Sequence, residues 1–376
     1  MKKFLLFILS SFIAIGSFTA IDVLFYLNRG INFQQISYLA IILNITVLLA
    51  EVPTGILGDR LGSIRALMLG SLLRAIACIM YIVDFPFHLY LAAAVSGLSL
   101  AFYTGSINAV VFYYKFQHTV DRIFAQVNFY RCLALSLGGI IGYALFQLNP
   151  NYPWLLASIF MLLSILPLVW LKPPTQPYFT NKSQSNWHAF IHLIRDLHNK
   201  TYFWAAALNG LSTTAPLLTW QFFFQKFTHG VLLGFLFMQL ASILASRLMS
   251  RFSFQYRTKF MFMCINTLAI LIIPLLKSNL WLLNCAIFLH TMAWVTQYLS
   301  TYAQFHENIA DSLRNTSESF ISATHCLLIV PVNLLVGYLL NSHLTFTAFI
   351  ISALISLLSA LLYLSSAIKQ PKQTFS

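Results

Sequence analysis

The sequence predicts an all-α membrane protein whose twelve transmembrane helices form two pseudo-symmetric six-helix bundles. Three observations predict it. Hydrophobic residues make up 59% of the 376-residue chain and charged residues 8%, against roughly 25% charge in a soluble globular chain. There is too little polar surface to cover a water-soluble particle. Apolar runs of about twenty residues recur throughout, the length a helix needs to cross a bilayer. They lack the polar/apolar alternation of membrane-spanning strands, and only helices and closed barrels satisfy their own backbone groups in lipid. The third observation is that the Lys/Arg excess alternates from loop to loop.

The spans are expected at 4–27, 33–57, 65–83, 88–113, 124–147, 153–171, 202–225, 230–249, 260–276, 280–303, 317–340 and 344–367. The opening MKKFLLFILSSFIAIGSFTA has the lysines and apolar run of a signal peptide. Phe18 stands where cleavage needs a small residue, however, and the run continues through Val23, Leu24 and Phe25. It is read as a retained first helix. With a cytoplasmic N-terminus, sixteen basic residues fall on or beside the inner side, from Lys2 and Lys3 through Arg60, Arg65 and Arg257 to Lys369 and Lys372. Only Arg29, Lys226 and Lys277 fall outside. An inner (plasma) membrane protein with both termini cytoplasmic is expected.

Between the sixth and seventh spans, KPPTQP and NKSQSN form the one long hydrophilic interruption. It divides the chain into an N-terminal bundle (1–171), a cytoplasmic central loop (172–200) and a C-terminal bundle (201–376). Within the loop, Trp187, Phe190, Ile191, Ile194 and Leu197 share one helical face, the pattern of a short amphipathic helix at the membrane surface. The net charge of +13 is scattered over short loops without a phosphate-tracking cluster, so nucleic acid is not an expected partner. Cys78, Cys132, Cys264, Cys285 and Cys326 lie inside expected spans without metal-ligand or redox spacing. No nucleotide loop, metal motif or nucleophile elbow is present, so no cofactor, metal or catalytic residue is assigned and the chain is not expected to be an enzyme.

The stretch EVPTGILGDRLGSIR at 51–65 is the most specific feature. Its Gly55, Asp59, Arg60, Gly62 and Arg65 resemble the loop signature between the second and third helices of the major facilitator superfamily, Gly-x-x-x-Asp-Arg-x-Gly-Arg/Lys. Ser63 replaces the basic residue after Gly62, leaving Arg65 as the nearest one. The resemblance implies a twelve-helix fold and a cytoplasmic latch in which Asp59 pairs with a basic residue or caps the next helix. The bland alternative is that the arginines set topology and the glycines make a turn. The fourth span resembles the family's small-residue helix, with Asn108 where an acid is common. Ala134, Gly138, Gly139 and Gly142 resemble a degenerate antiporter signature, a run that small-residue helix packing explains equally well. The loop at 246–260 is basic but has no counterpart of Asp59, while DSLRNTSESF at 311–320 resembles the family's entry to the eleventh helix.

Ionisable groups inside hydrocarbon cost at least a few kcal/mol and mark candidate sites. Asp22 is the first candidate for proton coupling or cation binding, because the resemblance implies that the first helix lines a central cavity. Its alternative is an interfacial acid solvated or paired with Arg29. Glu51 is expected to pair with Arg74 or Arg131, which lie at similar depth. His290 and His325 can titrate near neutrality, although a membrane histidine more commonly hydrogen-bonds across helices. Trp220, Phe222, Phe223, Phe224, Phe102 and Tyr103 are assigned no site. The preferred function is secondary transport of a small solute by alternating access, as proton-coupled efflux of a drug or amphiphilic metabolite by a monomer in the bilayer. One alternative is movement of an organic acid or siderophore-like chelate, with Arg74 and Arg131 as anion partners. Another is a non-transporting assembly factor or sensor.

Overall fold

The computed structural model describes residues 2–113, 120–171, 200–252, 254–307 and 314–369, and every expected span falls on a helix or on helices separated by a short break. The amphipathic helix expected within 172–200 lies outside the described residues, save Lys200. Among the described residues, nine helices are long and apolar enough to cross a membrane.

The chain divides into two compact units, Met1–Tyr178 with Phe224–Gln239, and Phe179–Phe223 with Leu240–Ser376. The first holds α1 (Lys2–Thr19), α2 (Asp22–Asn28), α3 (Phe33–Leu61), α4 (Ser63–Ile82), α5 (His88–Tyr113), α6 (Val120–Leu148), α7 (Tyr152–Leu163) and α8 (Ile165–Val169). The expected first span is therefore two helices, broken at Ile21, where φ is −139° and ψ 0°. Asp22 opens the second piece, and its carboxylate accepts from the Val23 amide at 2.8 Å, in the first turn, where a negative charge suits the helix dipole.

Helix α3 starts at a reciprocal cap. Asn32 Oδ1 accepts from the Gln35 amide at 2.9 Å, and Gln35 Oε1 accepts from the Asn32 amide at 3.0 Å. Pro53 lies inside this helix, and the Thr54 hydroxyl beside it donates to the Ala50 carbonyl at 2.8 Å. The connection from α3 to α4 is Gly62 alone, with φ 87° and ψ 145°, a conformation that L side chains rarely adopt.

Helix α1 packs along α6 through glycines. A Cβ on Gly16 would strike the Leu135 carbonyl, one on Gly138 the Ile13 carbonyl and one on Gly142 the Ser17 carbonyl. Gly139 faces another neighbour, since a Cβ there would enter the ring of Phe235, which is 2% exposed. The missing side chain at Gly139 thus explains how Phe224–Gln239 groups with this unit. At one end of the unit, Phe4, Phe7, Ile64, Leu67, Tyr103 and Leu168 form a buried cluster. At the other, Trp154 stacks on Phe18 (centroids 4.8 Å apart) and packs on Tyr81 (4.4 Å).

The second unit holds α9 (Thr201–Asn209), a 3₁₀ turn (Gly210–Thr213), α10 (Thr214–Phe224) as far as Phe223, α11 (Gly230–Arg251) from Leu240 onward, α12 (Tyr256–Ile272), α13 (Leu280–Glu307), α14 (Arg314–Asn341) and α15 (Thr345–Lys369). The expected seventh span is broken at its centre. Pro216 lacks the amide that would bond Ser212, and its ring crowds that carbonyl. Three consecutive hydroxyls serve carbonyls around the break: Ser212 donates to Asn209 (2.7 Å), Thr213 to Gly210 (2.8 Å) and Thr214 to Leu211 (2.9 Å).

Candidate functional site

Helix α13 carries two neighbouring stripes. At about 100° per residue, His290, Gln297 and Gln304 recur every seven positions on one line, and Trp294, Tyr298 and Tyr302 recur every four on the line beside it. The first line is polar and buried, so its groups need partners. His290 Nδ1 lies 2.8 Å from Asn266 Oδ1. Because that oxygen only accepts, Nδ1 carries the proton. The Asn266 amide donates to Gln297 Oε1 at 2.9 Å and to the Ser356 hydroxyl at 3.1 Å. Gln297 Nε2 donates to the Ser359 hydroxyl at 3.1 Å, and Ser359 donates on to the Ala205 carbonyl at 2.8 Å. This chain ties α13 to α12, α15 and α9, and it fixes the rotation of α13 about its axis.

That rotation aims the aromatic line into a cavity of about 230 Å³. Trp294, Tyr298 and Tyr302 form one wall, with centroids 6.0 Å apart for the first pair and 4.4 Å for the second. Ala206, Ala207 and Gly210 of the broken span form another, and Ile321 and His325 of α14 complete the lining. A Cβ on Gly210 would collide with the His325 ring, so the glycine makes room for the imidazole. His325 Nδ1 donates to the Ala207 carbonyl at 3.1 Å, which leaves Nε2 as the acceptor of the neutral ring. The Trp294 indole N–H is buried with no hydrogen-bond partner. Among the described residues the lining therefore offers aromatic rings, two phenol hydroxyls and one imidazole, with no Asp, Glu, Lys or Arg.

The other expected residues fall elsewhere. Asp22 is half-buried at the α1–α2 break, and Glu51 and Arg74 are half-buried in α3 and α4. Arg131 is exposed, its guanidinium 5.2 Å from the centre of the Phe12 ring. Arg29, weighed as a partner of Asp22, donates instead to the Tyr81 carbonyl (3.2 Å) and Asn151 Oδ1 (2.9 Å), lies 3.3 Å from His88 Nε2 and sits over Phe25. Within the 51–65 motif, Gly62 is the turn and Arg65 is exposed. Gly55, Asp59 and Arg60 lie on α3, and like Asn108 on α5 their side chains fall outside the described residues. Both histidines hydrogen-bond across helices. The aromatic wall was not singled out by sequence reasoning, although the spacing of Trp294, Tyr298 and Tyr302 carries its signal. No group of His, Cys, Asp and Glu suited to a metal occurs among the described residues.

A set of apolar helices long enough to cross a membrane, with a cavity among them, is the architecture of a polytopic membrane protein. The comparisons give its family. A family model described as Major Facilitator Superfamily matches residues 4–332, and the chain belongs to that superfamily. It is 26% identical over 231 residues to the uncharacterised MFS-type transporter YxaM of Bacillus subtilis (strain 168). That match covers 57% of this chain and about half (55%) of the relative. Among solved structures, the nucleoside transporter NupG superposes with a TM-score of 0.74 at 16% identity, covering 98% of this chain and 99% of that one. Its D323A mutant gives 0.76 at 16% identity, with 97% and 99% covered. These likenesses show the fold, and the family is one of transporters rather than enzymes.

Proposed function

We propose that the chain exports an amphiphilic metabolite or drug by alternating access, coupled to inward protons, as a monomer of the inner membrane with both termini cytoplasmic. The cavity beside α13 carries this reading. Its lining of rings, methyl groups and one imidazole accepts a largely apolar solute and penalises a bare ion, whose desolvation no opposite charge offsets. An organic acid would instead seek Arg74 or Arg131, and neither lines this cavity. Asp22, half-buried at a break in the first span, is the proposed proton carrier. The residues Gly55, Asp59, Arg60, Gly62 and Arg65 are the proposed latch, and the one-residue turn at Gly62 supports this by holding α3 and α4 end to end.

The test is solute movement in inverted and right-side-out vesicles carrying the full chain, with the solute picked by comparing metabolites of cells with and without the protein. Proton-driven accumulation in inverted vesicles is the expected result. Accumulation in right-side-out vesicles driven by inward protons would overturn export.

A further inference from the structure

Arg74 is a cation deep in the first unit. At 1.5 Å per residue it stands about 17 Å from one end of α4 and about 12 Å from the other, farther than the side chain can snorkel to either interface. Its direction is inward. The exposed Leu72, Ile76 and Ile79 share one face of α4, and at 100° per residue Arg74 lies about 180° from them. Leu67, Gly70, Cys78 and Tyr81, all buried, flank it on that inward arc. Its charge acts on Cys78 and Tyr81 and, from α5, on the buried Tyr103. Arg74 itself is only half-buried, so its side chain borders open space.

The polar groups around it are already committed. The Gly70 carbonyl accepts from Ser99 at 2.7 Å, the Ala75 carbonyl from Ser158 at 3.1 Å and the Tyr81 carbonyl from Arg29 at 3.2 Å. The Ser71 and Tyr103 hydroxyls bond each other at 2.7 Å, and Ser164 donates to Ser71 at 3.1 Å. Helices α5 and α7, which pack on α4, carry no Asp, Glu, Lys or Arg. Among the described residues, Arg74 makes no hydrogen bond and no ion pair. An unpaired charge at this depth is costly, and a ligand that brings the counter-charge removes the cost. The planar guanidinium fork matches a carboxylate, and its single charge balances a single negative one.

We infer that Arg74 anchors a carboxylate-binding site in the first unit, its guanidinium donating two parallel hydrogen bonds to a monoanionic ligand. The site belongs to a different unit from the uncharged cavity and does not rest on the export reading. Titration calorimetry at neutral pH on the full chain in detergent tests it. The probes are butyrate, the uncharged 1-butanol, the cationic butylammonium and butyl phosphate.

Wild type is expected to bind butyrate about ten-fold or more tightly than 1-butanol or butylammonium, the difference that one charge-assisted hydrogen bond supplies. Arg74→Gln should weaken butyrate by about ten-fold or more, and Arg74→Lys, which keeps the charge and loses the fork, should recover part of it. Because the guanidinium is unpaired in the free protein, Arg74→Gln should melt no earlier than wild type. Butyrate should raise the melting temperature of wild type and not of the variant. No butyrate binding by wild type, or equal binding of butyrate and 1-butanol, would overturn the inference without recourse to any variant. So would an unchanged butyrate affinity in a folded Arg74→Gln protein. A large loss of thermal stability in Arg74→Gln would make Arg74 a structural partner and overturn the site. Tighter binding of butyl phosphate would assign it to a phosphate ester and overturn the carboxylate. Any of these failures leaves export standing, because that reading is carried by the cavity beside α13.

Discussion

Single residues show where a family motif has a physical cause. Gly62 joins two membrane helices with no other residue between them, at φ 87°. Alanine there forces an L residue into a region that costs on the order of 1–3 kcal/mol, so Gly62→Ala should lower the unfolding temperature of the purified protein. If it melts like wild type, the turn is not strained. Arg29 is a second such residue, gathering the Tyr81 carbonyl, Asn151 and His88 at one end of the first unit. Its hydrogen bonds are charge-assisted, so Arg29→Ala should cost about 1.5–3 kcal/mol, and Arg29→Lys should recover only part, because an ammonium cannot reproduce the guanidinium fork. Thermal denaturation of the three proteins in one detergent checks the order. From the sequence, Arg29 is an outer-side basic residue and a partner for Asp22, because separation along one helix is the only geometry a sequence offers.

Among the elements, the glycines of α6 divide between two tasks. Gly138 and Gly142 bring its backbone against α1, and Gly139 opens onto Phe235. Close packing therefore accounts for the three glycines of the run that resembles an antiporter signature. Gly142→Leu should dissociate or misfold the first unit, seen as loss of a monodisperse peak on size exclusion, whereas replacing the exposed Ile141 by leucine should not. On α13, Asn266→Leu strips His290 and Gln297 of a shared partner. Leaving such buried groups unsatisfied costs about 1–3 kcal/mol each, so the variant should melt earlier than wild type in the same detergent. The broken span around Gly210 was half-visible in Ser212, Thr213, Thr214 and Pro216. Hydroxyls beside a proline mark carbonyls that lose their helical donor, yet only the fold reveals that His325 takes the Ala207 carbonyl as well.

For the whole molecule, the proposed latch and topology have their own tests. Asp59→Ala should insert and fold normally but slow export in inverted vesicles several-fold. Wild-type turnover would remove the latch from the mechanism. Tags at either end should be cut by protease only in inverted vesicles if both termini are cytoplasmic.

The order and approximate position of the helices followed from the chain alone, because a bilayer tests each segment for length and apolarity independently of the rest. Lipid reads a sequence locally, and so can an observer. What only the tertiary structure decided is which side chains meet. Trp294, Ala206 and His325 come from three helices far apart in sequence, and they line one cavity because the Asn266–Gln297 hydrogen bonds set how α13 is turned. A helix buried in apolar surroundings can rotate about its axis with little change in hydropathy, so the face that carries the site is settled by those few buried polar contacts and by the glycines that let neighbouring backbones close.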